Sequence, residues 1–224
     1  MRIATGLLLL AALTAVAPPG FPAAKELPKT TEDGLELTKQ TKQRVVYARP
    51  GASFAQYKQF GLADCYIEFS KTWMEDYNRS ARDLSRKISE SDLVDVRKDL
   101  AAQFRKIFSQ VLTEGGYTVS ETTGPDVLLL RPALVNISVT APDLNTPGRT
   151  HVYASSAGQM TLYLELWDSS TNKIVGRVMD AQADREFFGQ RMTSVDNRAA
   201  ADQLMRTWAE ELRKKLDVAQ GKLE

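Results

Sequence analysis

Between residues 158 and 180 apolar and polar side chains alternate on both sides of a turn: "GQMTLYLELW", then "DSSTN", then "KIVGRVMD". Successive side chains of an extended chain point to opposite faces. Met160, Leu162, Leu164 and Leu166 therefore share one face, and in the simplest register Ile174, Gly176 and Val178 join them across a hairpin. The Asp/Ser/Thr/Asn composition of the intervening residues is that of a turn. Glu165 and Arg177 fall on the opposite face as cross-strand neighbours, and their reading is a surface ion pair. A hairpin this apolar on one side cannot stand alone; the rest of the chain must cover it.

Two amphipathic helical patterns supply the cover. Leu93, Val96, Leu100, Phe104, Ile107, Phe108 and Val111 recur at helical spacing after Ser89 and Asp92, which stand at capping-box spacing. Gly115 and Gly116 end that helix, since glycine accepts the left-handed cap conformation. A second helix is expected from Ser194, with Thr193 and Asp196 as its box and Ala201, Leu204, Trp208, Leu212 and Leu216 as its stripe. Further strands are read in "QRVVYARPG", "LADCYIEFSKTW", "YTVSE" and "DVLLLRPALVNISVT"; the last is interrupted by Pro132, which lacks a ladder donor and predicts a bulge or an edge. Residues between Trp73 and Ser89 show no regular pattern. The order strand, strand, helix, four strands, helix implies an α+β fold, an antiparallel-rich mixed sheet with two long amphipathic helices on one face. The first crossover helix leaves room for one local parallel pair.

The first residues, "MRIATGLLLLAALTAVAPPGFPAAKE", have the three parts of a secretory signal: Arg2, an apolar run from Thr5 to Ala17, and small residues. The run falls short of the roughly 20 residues a spanning helix needs. Cleavage after Ala17 or near Ala24 is expected, and "APPG" and "FPAAK" offer no lipid-accepting cysteine, so no lipid anchor is expected. The domain reading is a signal at 1–24, a flexible tether at 25–42, a single α+β domain at 43–219 and a tail at 220–224. Loss of Arg2 with the signal takes Lys plus Arg from 29 to 28, equal to the 28 acidic residues. A neutral chain without a basic run argues against nucleic acid as a partner.

One cysteine cannot form a disulfide within the chain. Strand alternation places Cys65 on a buried face with Ala63, Ile67 and Phe69, as an inert packed thiol. No Walker loop, dinucleotide fingerprint, HExxH or paired-cysteine pattern occurs, so no cofactor is expected. With His151 as the only histidine, a multi-histidine metal site is impossible within the chain. Asp180, Asp184 and Glu186 share strand parity but are read as the solvated end of a strand rather than as a calcium site. The "GASFA" segment approximates a nucleophile elbow, with Ser53, Asp143 and His151 in hydrolase order. That elbow requires a helix after the serine, and only "FAQYKQF" separates Ser53 from the next strand.

The long polar connection "APDLNTPGRTHVYASS" stands where a tight hairpin would suffice, and such loops are often functional. Asp143, Asn145, Arg149, His151 and Tyr153 are its candidate binding rim. Taken together, "YARPGASFAQYKQF", "YIEFSKTWMEDYNR", "GPDVLLLRPAL" and "ELWDSSTNKIVG" resemble the bacterial DUF3313 family of envelope lipoproteins, from about Gln43 to Leu216. The resemblance implies an envelope address and carries over no catalytic residue; the absent lipidation cysteine departs from it and points to periplasmic residence, soluble or peripherally associated with the outer membrane. The leading reading is a non-catalytic periplasmic accessory or binding module that meets an envelope protein or a glycan. The alternative is a periplasmic serine hydrolase using Ser53 and His151.

Overall fold

The computed structural model describes residues 27–81, 87–139, 152–153, 158–183, 191–192 and 194–223. Along the chain these form β1 (Glu36–Gln40), β2 (Arg44–Ala48), β3 (Gln59–Leu62), β4 (Tyr66–Phe69), α1 (Trp73–Ser80), α2 (Glu90–Glu114), β5 (Thr118–Val119), β6 (Val127–Val139), β7 (Val152–Tyr153), β8 (Gly158–Asp168), β9 (Lys173–Ala183), β10 (Arg191–Met192) and α3 (Ser194–Ala219). One mixed sheet has the order β1-β2-β9-β8-β6-β3-β5, with β4 also pairing β6; β7 and β10 make a separate pair. The class is α+β, and the short α1 joins the two long helices.

The β8–β9 hairpin has the expected register through its middle, with Leu164 opposite Val178 and Leu166 opposite Gly176. A bulge then shifts the pairing so that Ile174 lies opposite Trp167. Val175 enters the main core in its place, and Ile174 packs on the other face with Leu35 and Tyr47, which corrects its expected parity. The turn is built on Asp168, whose carboxylate accepts from the backbone N–H of Ser170 (3.0 Å) and Thr171 (2.8 Å) and from the Tyr57 hydroxyl (2.9 Å). Burial alone would raise the Asp168 pKa, but the bonds from Ser170, Thr171 and Tyr57 outweigh it and hold the group at about 2.

Pro132 sits neither at an edge nor at a bulge. β6 is interior, and Pro132 lies opposite Leu164 of β8. On the other flank the Ala63 N–H donates to the Leu130 carbonyl at 3.0 Å. Backbone groups two residues apart in a strand point the same way, so the donor that Pro132 lacks would also face that flank. There β3 ends at Leu62 and β4 begins at Tyr66, both parallel to β6. The neighbouring strand is broken where the donor is missing, so the proline costs the sheet no bond. The segment read as one strand is accordingly two, and Cys65 lies in the gap, buried, with its thiol pushed up to about 12 by that burial.

α2 starts as expected: the Asp92 N–H donates to Ser89 Oγ, and the Ser89 N–H donates to the Asp92 carboxylate at 2.8 Å. Its two terminal glycines have different reasons. Gly116 takes the left-handed φ of 80° that caps the helix, whereas a Cβ on Gly115 would collide with Arg213 of α3. That contact, with the hydrogen bond between Gln103 and Asp202, runs the two helices side by side in the same direction. Phe104, Phe108 and Leu112 from α2 and Met205 and Ala209 from α3 are fully buried with Leu128, Leu130 and Leu134 of β6. Each such large side chain contributes about 2 kcal/mol by leaving water.

The chain from Pro28 onward belongs to the fold, which corrects the expected tether through Lys42. β1 pairs antiparallel with β2, Leu35 is fully buried, and the Tyr47 hydroxyl donates to the Pro28 carbonyl at 3.0 Å. β1 is almost wholly exposed and held by pairing, so it carries no hydrophobic period for a sequence reading to find.

Candidate functional site

The helices do not cover the whole sheet. The direct pairs Arg44–Asp180, Val46–Val178 and Ala48–Gly176 put these residues on the same face as Leu162, Leu164 and Leu166, the face that carries the helices. α2 packs on α3 and against β4 and β5, and α3 lies over the adjoining strands. β9 and β2 extend past α3 with no third helix above them among the described residues. A cleft of about 590 Å³ fills the space between their inner face and the flank of α3. This volume lies within the roughly 300–1,000 Å³ range of small-molecule sites.

The cleft is apolar at its centre and charged at its mouth. Val46 and Ala48 of β2, Val178 of β9 and Phe54 form one wall; Trp208, Leu212 and Leu216 of α3 form the other. Gly176 keeps the floor low, since a Cβ there would stand 3.2 Å from Leu166 Cδ1 and 3.6 Å from Phe54 Cζ. At the end toward the β9 C-terminus Arg44 pairs with both Asp180 and Glu211. Burial alone would lower the Arg44 pKa, but bonding to Glu211 and Asp180 more than offsets it and the pKa is raised. Asp180 is fully buried, which corrects its reading as a solvated strand end: its partner Arg44 lies one strand away and is invisible in the local pattern. Lys39 of β1 and Lys214 and Lys215 of α3 stand exposed around the mouth.

Ser53, Asp143, Asn145, Arg149, His151 and Tyr153 are not among the described residues that line this cleft. Asp143, Asn145, Arg149 and His151 lie outside the described residues, and Tyr153 is placed only by its backbone, in β7 opposite Arg191 of β10. Ser53 is exposed in the β2–β3 connection, where its Oγ accepts from the Ala55 N–H at 3.3 Å. A turn and then β3 follow it, not a helix, so the elbow geometry is absent. Its neighbour Phe54 contributes to the cleft instead. Asp184 and Glu186 lie outside the described residues, and among those described no group of three or more His, Cys, Asp or Glu side chains is placed to hold a metal ion. No described helix is long and apolar enough to cross a membrane.

The opposite face of the sheet carries a second polar cluster, and it is self-satisfied. Glu165 accepts from the Tyr163 hydroxyl (2.9 Å), Trp167 Nε1 (3.0 Å) and Arg177 (2.9 Å), and Arg177 also meets Asp33 at 2.5 Å. Arg131 lies over the Trp167 ring, 4.4 Å from its centroid. The expected Glu165–Arg177 pair is present, half-buried beneath the N-terminal segment rather than fully at the surface.

No curated protein matches the chain. Among solved structures, a PelC dodecamer from Paraburkholderia phytofirmans is 11% identical, with a TM-score of 0.38 over 74% of this chain and 96% of that one. A minor lipoprotein from Acinetobacter baumannii is 14% identical, with a TM-score of 0.32 over 75% and 96%. A DUF330 protein from Xanthomonas campestris is 10% identical, with a TM-score of 0.37 over 78% and 91%. Scores this low carry no argument about what the present chain binds. The family model for DUF3313, a protein family of unknown function, matches residues 29–212, β1 through most of α3. On that match, which spans most of its length, the chain belongs to the DUF3313 family.

Proposed function

We propose that this protein is an exported, non-catalytic binding module of the cell envelope and that the cleft beside α3 is where it binds. The cleft itself carries the reading: about 590 Å³ of apolar-walled space left open beside a filled core. Apolar surface left in contact with water is unfavourable, and a partner that covers it recovers that free energy. The export part rests on the leader from Met1 to Ala24, and periplasmic residence on the absence of a cysteine there. An envelope protein or a glycan remains the expected partner of the long connection that holds His151.

The test uses a neutral naphthylamine dye that brightens in apolar surroundings. The wild-type protein is expected to bind it saturably, and Ala48→Trp and Val46→Trp, which fill the cleft from β2, to lose that binding while unfolding at unchanged temperature. Equal dye binding by wild type and both folded variants would sink the cleft as the site. Fractionation with N-terminal sequencing tests export: the expected start lies between Pro18 and Glu26 in the soluble periplasmic fraction, and an intact Met1 in the membrane pellet overturns release.

A further inference from the structure

We infer that the cleft takes a single-chain amphiphile with an anionic head, its tail lying along Trp208, Leu164 and Val178 and its head held between Lys39 and the Lys214–Lys215 pair. This rests on the cleft being the binding site. It adds the chemical class of the ligand.

The argument is one of charge matched to shape. Among the described residues the deep part of the cleft has apolar walls, except that Trp208 carries a buried Nε1–H with no hydrogen-bond partner, and the buried carboxylate, Asp180, pairs with Arg44. Arg44 is also engaged by Glu211, so it is not available to a ligand. Among the described residues at the mouth, Lys39, Arg44, Lys214 and Lys215 outnumber Asp180 and Glu211 by two positive charges; Arg177, which also lines the cleft, gives its guanidinium to Asp33 and Glu165 and is not counted. The excess resides in the lysines, which make no ion pair with a described residue. Lys39 comes from β1 and Lys214 and Lys215 from α3, so the cations approach the opening from both sides. This local excess stands out against a mature chain with equal numbers of acidic and basic residues. A low-dielectric cleft with one sign of charge at its rim concentrates ligands of the opposite sign. A neutral apolar ligand would leave the lysines unused, and a cationic head would be repelled. A long side chain on a flexible stem suits a head of variable geometry, carboxylate or phosphate alike.

The experiment compares three ligands with the same tail and different heads, dodecanoate, dodecanol and dodecyltrimethylammonium, each titrated below its micelle concentration into the protein starting at Lys25. Dodecanoate is expected to bind at least about tenfold more tightly than dodecanol, with the ammonium weakest, and the gap to close as salt rises. The variant Lys39→Gln/Lys214→Gln/Lys215→Gln is expected to bind dodecanol as before and to lose the preference. A lysophosphatidic acid arm separates sources: tighter binding than dodecanoate favours a lipid headgroup, and equal binding a free fatty acid, both within the proposed class. Equal affinity for all three heads, or a preference that survives the triple variant, overturns this inference while leaving the cleft as a binding site. Binding of none of them overturns the site itself. If the chain from Met1 refuses every ligand that the chain from Lys25 accepts, the leader is the occupant, and the inference falls.

Discussion

The inner face of one continuous sheet divides into two halves. Under α2 and α3 it is packed solid: Leu128, Leu130 and Leu134 of β6 are fully buried against Phe104, Phe108 and Met205. Past α3, on β9 and β2, the inward apolar positions are Val178, Gly176, Val46 and Ala48, all small; Val178, Val46 and Ala48 are partly exposed, and among the described residues no helix lies above them. Large apolar side chains occupy the half with a helix over it and small apolar ones the half without. The difference teaches that the sheet is wider than its helical cover, and that the uncovered part has a shape suited to receive something.

The contrast can be broken by substitution, and the effects should fall in order from the packed half to the open one. Phe108→Ala removes a fully buried ring stacked on Phe104 with centroids 4.0 Å apart. It is expected to cost about 4 kcal/mol in urea unfolding, because the surrounding core cannot collapse into the hole. Asp168→Ala, at the hairpin end, removes an acceptor of hydrogen bonds from Ser170, Thr171 and Tyr57 and should cost about 3 kcal/mol at neutral pH.

The pH dependence of that site has a definite sign. The Asp168 pKa in the folded state is depressed to about 2, below its unfolded value of about 3.9, so its stabilisation is fully present above the unfolded value and lost as pH falls through the folded one. Urea unfolding of wild type and Asp168→Asn should therefore differ most near neutrality and converge toward pH ~2. A difference that is constant with pH would show that the side chain acts through shape and not through charge.

Arg44→Met, at the edge of the open half, removes the ion pair to buried Asp180 and is expected to cost about 2 kcal/mol, less than a fully enclosed pair because Arg44 is partly exposed. Adding Asp180→Asn should restore part of the loss, whereas Glu211→Gln alone should cost under about 1 kcal/mol, since that carboxylate is well exposed. Of the two apolar truncations the smaller is Val178→Ala, expected at about 1 kcal/mol, because the cleft beside it is already open. A cost for Val178→Ala equal to that of Phe108→Ala would erase the distinction between the halves.

Much of the packed half is legible in the amino-acid sequence. The period of two in β8 and β9, the period of 3.6 in α2 and α3 and the Ser89–Asp92 cap are local signals, and each produces the element it predicts. Where local signals are thin, elements go unseen. α1 holds one fully committed apolar residue, Trp73, which stacks on Phe69 at 4.7 Å; a single anchor makes no period. The candidate rim at Asp143, Asn145, Arg149 and His151 rests on loop length and falls outside the described residues. The cleft is not legible because its lining comes from four separated stretches, around residues 38–54, 162–166, 176–180 and 208–216. The clue in the sequence is the run of small inward residues, Val46, Ala48, Gly176 and Val178, on strands otherwise patterned for burial.

By itself the sequence determined strands β2, β6, β8 and β9 and the long helices α2 and α3, the apolar face of both helices and of β8, where α2 begins and that Cys65 is enclosed, because propensity, capping and periodicity act over a few residues. Only the tertiary structure decided that β3 and β4 run parallel to β6 past the missing donor of Pro132, that a bulge sends Ile174 to the far face, that Asp180 is buried against Arg44, and that α3 stops short of β9 and β2. Those outcomes depend on which strands become neighbours and where helices come to rest, and such pairings join residues more than a hundred positions apart, as Arg44 and Asp180 do.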